Sequence, residues 1–255
     1  MRSILRDRLR SPLRGVGRWG RVLVLGFCFA GSLLSVDRVN ASSGAPHQWS
    51  FGALKVDGDS RTVVFPAKLN LREGALEYGL VTKTGPVHES LLVTTVNPVE
   101  IHAAFLLLGV NGQNIPPVGV REHLDSESLR NAPELAGQPV EVKLVWYEGG
   151  QEKRTALEDW LIYTDGRKVA SGPWLYTGSY MQEGGGFAAQ AEGNVLCLVS
   201  NPASLLNNPR SGRTDDHAWA ARTAVLPPLD TDVTVEIALL PPAKTHSEQT
   251  PEVHK

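Results

Sequence analysis

His88-Glu89-Ser90 places an imidazole, a carboxylate and a hydroxyl at three consecutive positions. These are the group types of a base, an orienting acid and a nucleophile in acyl transfer. The spacing works against that chemistry. On a strand His88 and Ser90 share a face with their α-carbons about 6.5 Å apart, and Glu89 points the other way. A direct pairing is then strained, and the acid has to come from elsewhere. Gly178-Ser179-Tyr180-Met181 lacks the Gly-x-Ser-x-Gly frame of a nucleophile elbow. The residues favour a structural reading, in which His88 and Ser90 cap or bridge backbone groups at the start of a strand. Ligand binding at this surface comes next. The alternative is a hydrolase or metal-dependent enzyme using His88 with Ser90 or Asp216, and it predicts that His88, Ser179 and Asp216 meet in one cleft.

Metal donors are present as types only. His88, Glu89, His102, Asp215, Asp216 and His217 show no diagnostic ligand spacing, so neither a metal nor another cofactor is expected. His102 reads as a hydrogen-bonded core histidine. Trp174, Tyr176, Tyr180 and Trp219 suit either a pocket wall or, more commonly, ordinary core. Asp215-Asp216-His217-Ala218-Trp219 falls in a polar, irregular stretch that could face a ligand. Gly184-Gly185-Gly186 has no following Lys-Ser/Thr and reads as a flexible turn, not a phosphate loop. Cys197, between Leu196 and Leu198, reads as a buried, inert thiol.

The elements that must hold these groups are marked by punctuation and periodicity. Asn97-Pro98 with Glu100 opens a helix that Gly109 closes. Its apolar content predicts a helix covered on most sides. The strand before it runs from His88. Residues 54–56 and 62–65 flank an Asp57-Gly58-Asp59-Ser60 turn and read as a hairpin. Residues 76–81, 140–146, 174–177 and 233–239 read as further strands. Residues 187–191 and 195–200 flank Glu192-Gly193-Asn194 as another hairpin. Thr155-Ala156-Leu157-Glu158 predicts a second capped helix, and residues 111–139 a lid or a short helix around residues 126–131. Asn201-Pro202 repeats the strand-then-helix signal of Asn97-Pro98, which suggests two similar halves. The expected fold class is α+β: a largely antiparallel β-sheet built from hairpins, packed on one buried helix plus short helices.

The chain has 255 residues. Residues 1–41 run from an arginine-rich start through an apolar stretch over residues 22–36 to Val39-Asn40-Ala41, the order of a secretory leader. The apolar run is shorter than the roughly 20 residues of a spanning helix. Cleavage after Ala41 is expected, with an uncleaved anchor as the alternative. Residues 42–50 read as a linker, 51–241 as one domain and 242–255 as a disordered tail. After residue 41 there are 17 basic and 25 acidic side chains, which argues against nucleic acid or an anionic membrane as partner. Cys197 is then the only cysteine, so no internal disulfide can form.

Several motifs occur in an order that resembles the YdjY-domain family of bacterial exported proteins. They are Phe65-Pro66-Ala67-Lys68-Leu69-Asn70, His88-Glu89-Ser90-Leu91-Leu92, and the apolar helix ending Leu108-Gly109. Trp174-Leu175-Tyr176-Thr177-Gly178-Ser179 and Gly193-Asn194 leading to Leu205-Leu206-Asn207-Asn208-Pro209 complete the set. The resemblance spans roughly residues 51–241. Some relatives are joined to ferredoxin-type iron–sulfur modules, which implies a redox neighbourhood, although this chain has no cysteine cluster for such a centre. The expectation is an exported, non-catalytic domain that binds an unknown protein or small ligand. Its candidate surface comprises His88, Glu89, Ser90, Trp174, Ser179, Asn208, Asp216 and Trp219, with no catalytic residue assigned.

Overall fold

The computed structural model describes residues 47–110 and 135–241. The expected leader, the helix expected around residues 126–131 and the tail lie outside the described residues. The strands are β1 (Gln48–Phe51), β2 (Leu54–Asp57), β3 (Thr62–Leu69), β4 (Tyr78–Thr82), β5 (Ser90–Thr94), β6 (Gln138–Glu148) and β7 (Gln151–Ala156). They continue with β8 (Leu161–Tyr163), β9 (Trp174–Tyr176), β10 (Asn194–Cys197), β11 (Leu206–Asn207), β12 (Trp219–Ala221) and β13 (Asp232–Leu239). Among the described residues the α-helices are α1 (Pro98–Leu107) and α2 (Ala188–Glu192). Residues 48–50, expected in the linker, form part of β1.

Alternation builds one side of the molecule. In β3 and β13, and in β6 from Gln138 to Leu144, every second residue is buried. Antiparallel register aligns Val63 with Ile237 and Val142, and Phe65 with Val235 and Leu144. These positions face one core and leave the other face of the three strands wet. Pro66, which has no N–H to give, lies between the part of β3 that pairs β2 and the part that pairs β5.

The other side corrects the expected architecture. The pairing runs β3–β13–β6–β9–β11–β10–β4–β5 and returns to β3, so eight strands close into a barrel. It is a mostly β fold, not a sheet packed on a central helix. The β1–β2 hairpin extends β3, and β7 extends β6. α1 seats one face on the core: Ile101, Ala104 and Phe105 are fully buried, whereas Val99, Leu106 and Leu107 are 47%, 52% and 45% exposed. Its apolar content therefore reflects a half-wet face, not cover on most sides. Asn97 precedes it without a side-chain cap, and only the Asn97 carbonyl accepts the amides of Glu100 and Ile101. The C-terminal end closes as expected. Gly109 is left-handed at φ 77, with amide bonds from Gly109 to Leu106 O and from Val110 to Phe105 O.

Three local expectations also change. Residues 157–160 form a 3-10 turn after strand β7 instead of a capped helix. The expected strand over residues 187–191 is α2. Asn201-Pro202 opens no helix but a turn leading into β11. The two halves instead share a different device. β4 and β5 are parallel neighbours joined by a short crossover, and so are β10 and β11. Each crossover enters its second strand through Ser-Leu-Leu. The fully buried Ser90 donates to Leu92 O at 2.8 Å, and Ser204 donates to Leu206 O at 3.0 Å. β4 and β10 pair antiparallel between them.

Candidate ligand site

His88 and Glu89 belong to a 3-10 turn, Val87–Glu89, and the strand starts only at Ser90. The expected shared strand face therefore does not form. His88 is exposed and its Nε2 lies 3.3 Å from Glu89 Oε1. Ser90 is buried with its hydroxyl given to Leu92 O. A base in water and a hydroxyl committed to the backbone do not make a nucleophilic pair. What holds the turn is Asn70, whose side-chain amide donates to Val87 O at 2.6 Å and Ser90 O at 2.8 Å. Asn70 ends the first motif of the family resemblance, and only the distance between two segments hid its role. Asn70→Ala should cost about 1–3 kcal/mol, two hydrogen bonds at a tight crossover, read as a lower urea midpoint. An unchanged midpoint would show that the turn holds itself.

Asp216 and His217 pair at 3.3 Å in a fully wet loop, with side chains 59% and 88% exposed. Trp219 is buried in the small β8–β12 sheet and donates from Nε1 to Gly212 O at 2.9 Å. Asn208 is buried and bridges Leu198 O and the Arg210 amide. Trp174 is buried beneath the guanidinium of Arg210, 4.5 Å from its ring centroid, and donates from Nε1 to Glu158 Oε2 at 3.2 Å. Arg210 reaches Ala170 O and Gly172 O and lies 3.6 Å from Glu158 Oε1. Burial pulls its guanidinium below the ordinary value. This cluster ties the loop before β9 to the barrel, and no sequence signal joined its members.

Ser179 lies elsewhere again. Its hydroxyl donates to Ala203 O at 2.7 Å and accepts the Ala189 amide of α2 at 3.0 Å. It holds a left-handed backbone at φ 57, after Gly178 at φ 78. The turn it fixes forms one wall of a cavity of about 340 Å³, whose other walls are Val99 and His102 of α1, Met181 and Phe187. Two further cavities are lined by Lys68, Lys83 and Asp232, and by Glu141 and Glu158. Neither His88 nor Asp216 lines any of the three, so His88, Ser179 and Asp216 share none of them.

The geometry beside α1 is set from inside. Gly184, Gly185 and Gly186 all have positive φ, at 83, 89 and 116, a path L side chains resist. This tight reversal brings Met181 opposite Phe187 as a β-bridge. Phe105 stacks on Tyr176 with centroids 4.1 Å apart, the Tyr176 hydroxyl meets His102 Nδ1 at 2.5 Å, and His102 lies 4.9 Å from the Phe187 ring. The hydroxyl fixes the imidazole's orientation. His102 was expected to be a hydrogen-bonded core histidine. It is hydrogen-bonded, but half-buried at a cavity wall.

Cys197 is buried as expected. Burial pushes its thiol well above the ordinary value, and burial likewise raises the Tyr78 phenol. Both stay neutral when folded and can ionise when unfolded. Their contribution is fully present below the ordinary values of 9.0 and 10.0 and is lost as pH climbs towards the raised folded values. Between the ordinary and the raised values stability should fall as pH rises, by about 1.4 kcal/mol per pH unit for the fully buried Cys197 and by less for the partly buried Tyr78. Urea midpoints across the alkaline range would show this, with Cys197→Ala removing the earlier onset; a flat profile would contradict it.

Among the described residues, barrel closure defines a mostly β domain with a side cavity against α1. The chain belongs to the YdjY domain family, whose model matches residues 54–238. No curated protein and no solved structure matches it significantly. Among the described residues no helix is long and apolar enough to cross a membrane.

Proposed function

We propose that the chain is an exported, non-catalytic binding module that takes a small ligand in the cavity beside α1. The observation that carries this is an apolar cavity at the surface with a histidine held in one orientation by Tyr176. Val99 and Met181 stand 47% and 51% exposed at its walls, apolar surface that a ligand would take out of water. The basic-then-apolar order of residues 1–41 supports placing the module outside the cytoplasm. The His88 turn has an architectural explanation through Asn70, so it is not the preferred ligand surface.

Xenon under pressure tests the cavity without assuming a ligand, because it enters apolar cavities regardless of shape or charge. The Val99 and Met181 methyl resonances should shift saturably, and Met181→Glu should abolish the effect. Methyls that do not respond would remove the cavity as a binding site.

A further inference from the structure

The cavity lies at the end of a run of ring contacts. Phe105 and Tyr176 are stacked at 4.1 Å with 17° between planes, and Tyr176 meets His102 end to end through its hydroxyl, with centroids 6.2 Å apart. His102 and Phe187 follow at 4.9 Å, tilted by 45°. Phe105 is fully buried, while His102 and Phe187 are partly buried and line the cavity. These ring contacts run from the core to the cavity wall. Among the described residues no Asp, Glu, Lys or Arg side chain lines the cavity.

We infer that the cavity takes an uncharged, planar aromatic ligand of one or two fused rings, which packs against the His102 and Phe187 rings at its wall. The inference rests on the binding reading above and narrows it. Ring pairs prefer offset or edge-on contact with ring partners and gain beyond plain area burial. Met181 adds a thioether, which packs well against ring edges. An ionised ligand would leave water for a wall whose described residues include no Asp, Glu, Lys or Arg. Size agrees: a dry cavity of about 150 Å³ holds benzene, so about 340 Å³ has room for two rings.

The test is calorimetric titration of the full mature chain with four probes. They are indole, cyclohexylmethanol, indole-3-acetate and tryptamine. Indole should bind about fivefold more tightly than cyclohexylmethanol and about tenfold or more tightly than either charged indole. Phe187→Leu keeps an apolar wall but removes the ring, and should reduce indole affinity by about fivefold while xenon still enters. Cyclohexylmethanol binding as well as indole would overturn the aromatic preference and leave the binding reading standing. A charged indole binding as tightly as indole would overturn the requirement for no charge. Loss of both xenon and indole binding would overturn the binding reading itself.

Discussion

Arg210→Ala should cost about 3–5 kcal/mol of folding stability, the usual effect of removing one partner from a buried ion pair. Arg210 and Glu158 are each only 8% exposed. The Glu158 carboxylate also accepts the Gly172 amide at 3.3 Å and Trp174 Nε1 at 3.2 Å. Without Arg210 that charge stays buried, the ring of Trp174 loses its cover, and Ala170 O and Gly172 O lose a donor. The loop entering β9 should loosen first, because these are its ties to the barrel. Replacing both partners, Glu158→Leu with Arg210→Met, should recover much of the loss, since no unpaired charge remains. Urea unfolding of the two variants measures this. A loss below about 1 kcal/mol for Arg210→Ala would mean that the pair is not shielded from water.

Phe105→Ala should also cost about 3–5 kcal/mol, from lost burial and the cavity left behind. Phe105 is fully buried and carries the contact of α1 with Tyr176. It also closes the helix, since its carbonyl accepts the Val110 amide. The side-chain change leaves that backbone bond in place, so the loss reads packing alone. Tyr176 orients His102, so the same variant should weaken indole binding while leaving the His88 turn untouched. A loss under about 1 kcal/mol would contradict the seating of α1 on the core.

These two sites mark what the sequence could and could not disclose. The strands β3, β6 and β13 were legible because each is long and alternates, with one face wet. The end of α1 was legible because Gly109 supplies a left-handed residue that few others tolerate. Barrel closure was not. β9 and β10 fall in stretches that read as strands, but β11 has two residues, both buried, so no alternation separates it from turn or helix. Closure also depends on β3 meeting β5 and β9 meeting β11, pairings between segments far apart in the chain. The apolar surface of α1 reads as cover on most sides, whereas Val99, Leu106 and Leu107 face water. The pairing of Asn97-Pro98 with Asn201-Pro202 picked the wrong equivalence, because the shared feature is Ser90-Leu91-Leu92 with Ser204-Leu205-Leu206. Of the candidate residues, Trp174 and Trp219 are core, as aromatics on strands usually are, and Ser179 reaches the cavity as part of its wall. His102 and Met181 were set aside or passed over, since a lone histidine on an apolar helix carries no sign of what packs against it.

Met181 offers the most direct measurement, because the only other methionine in the sequence is Met1. Methionine methyl and histidine ring resonances would be followed together during one titration with indole. The Met181 methyl should shift saturably, driven by the ligand's ring current, with His102 moving in step and His88 unchanged. A shift at His88 with Met181 unmoved would contradict it and return the ligand surface to the exposed turn before β5.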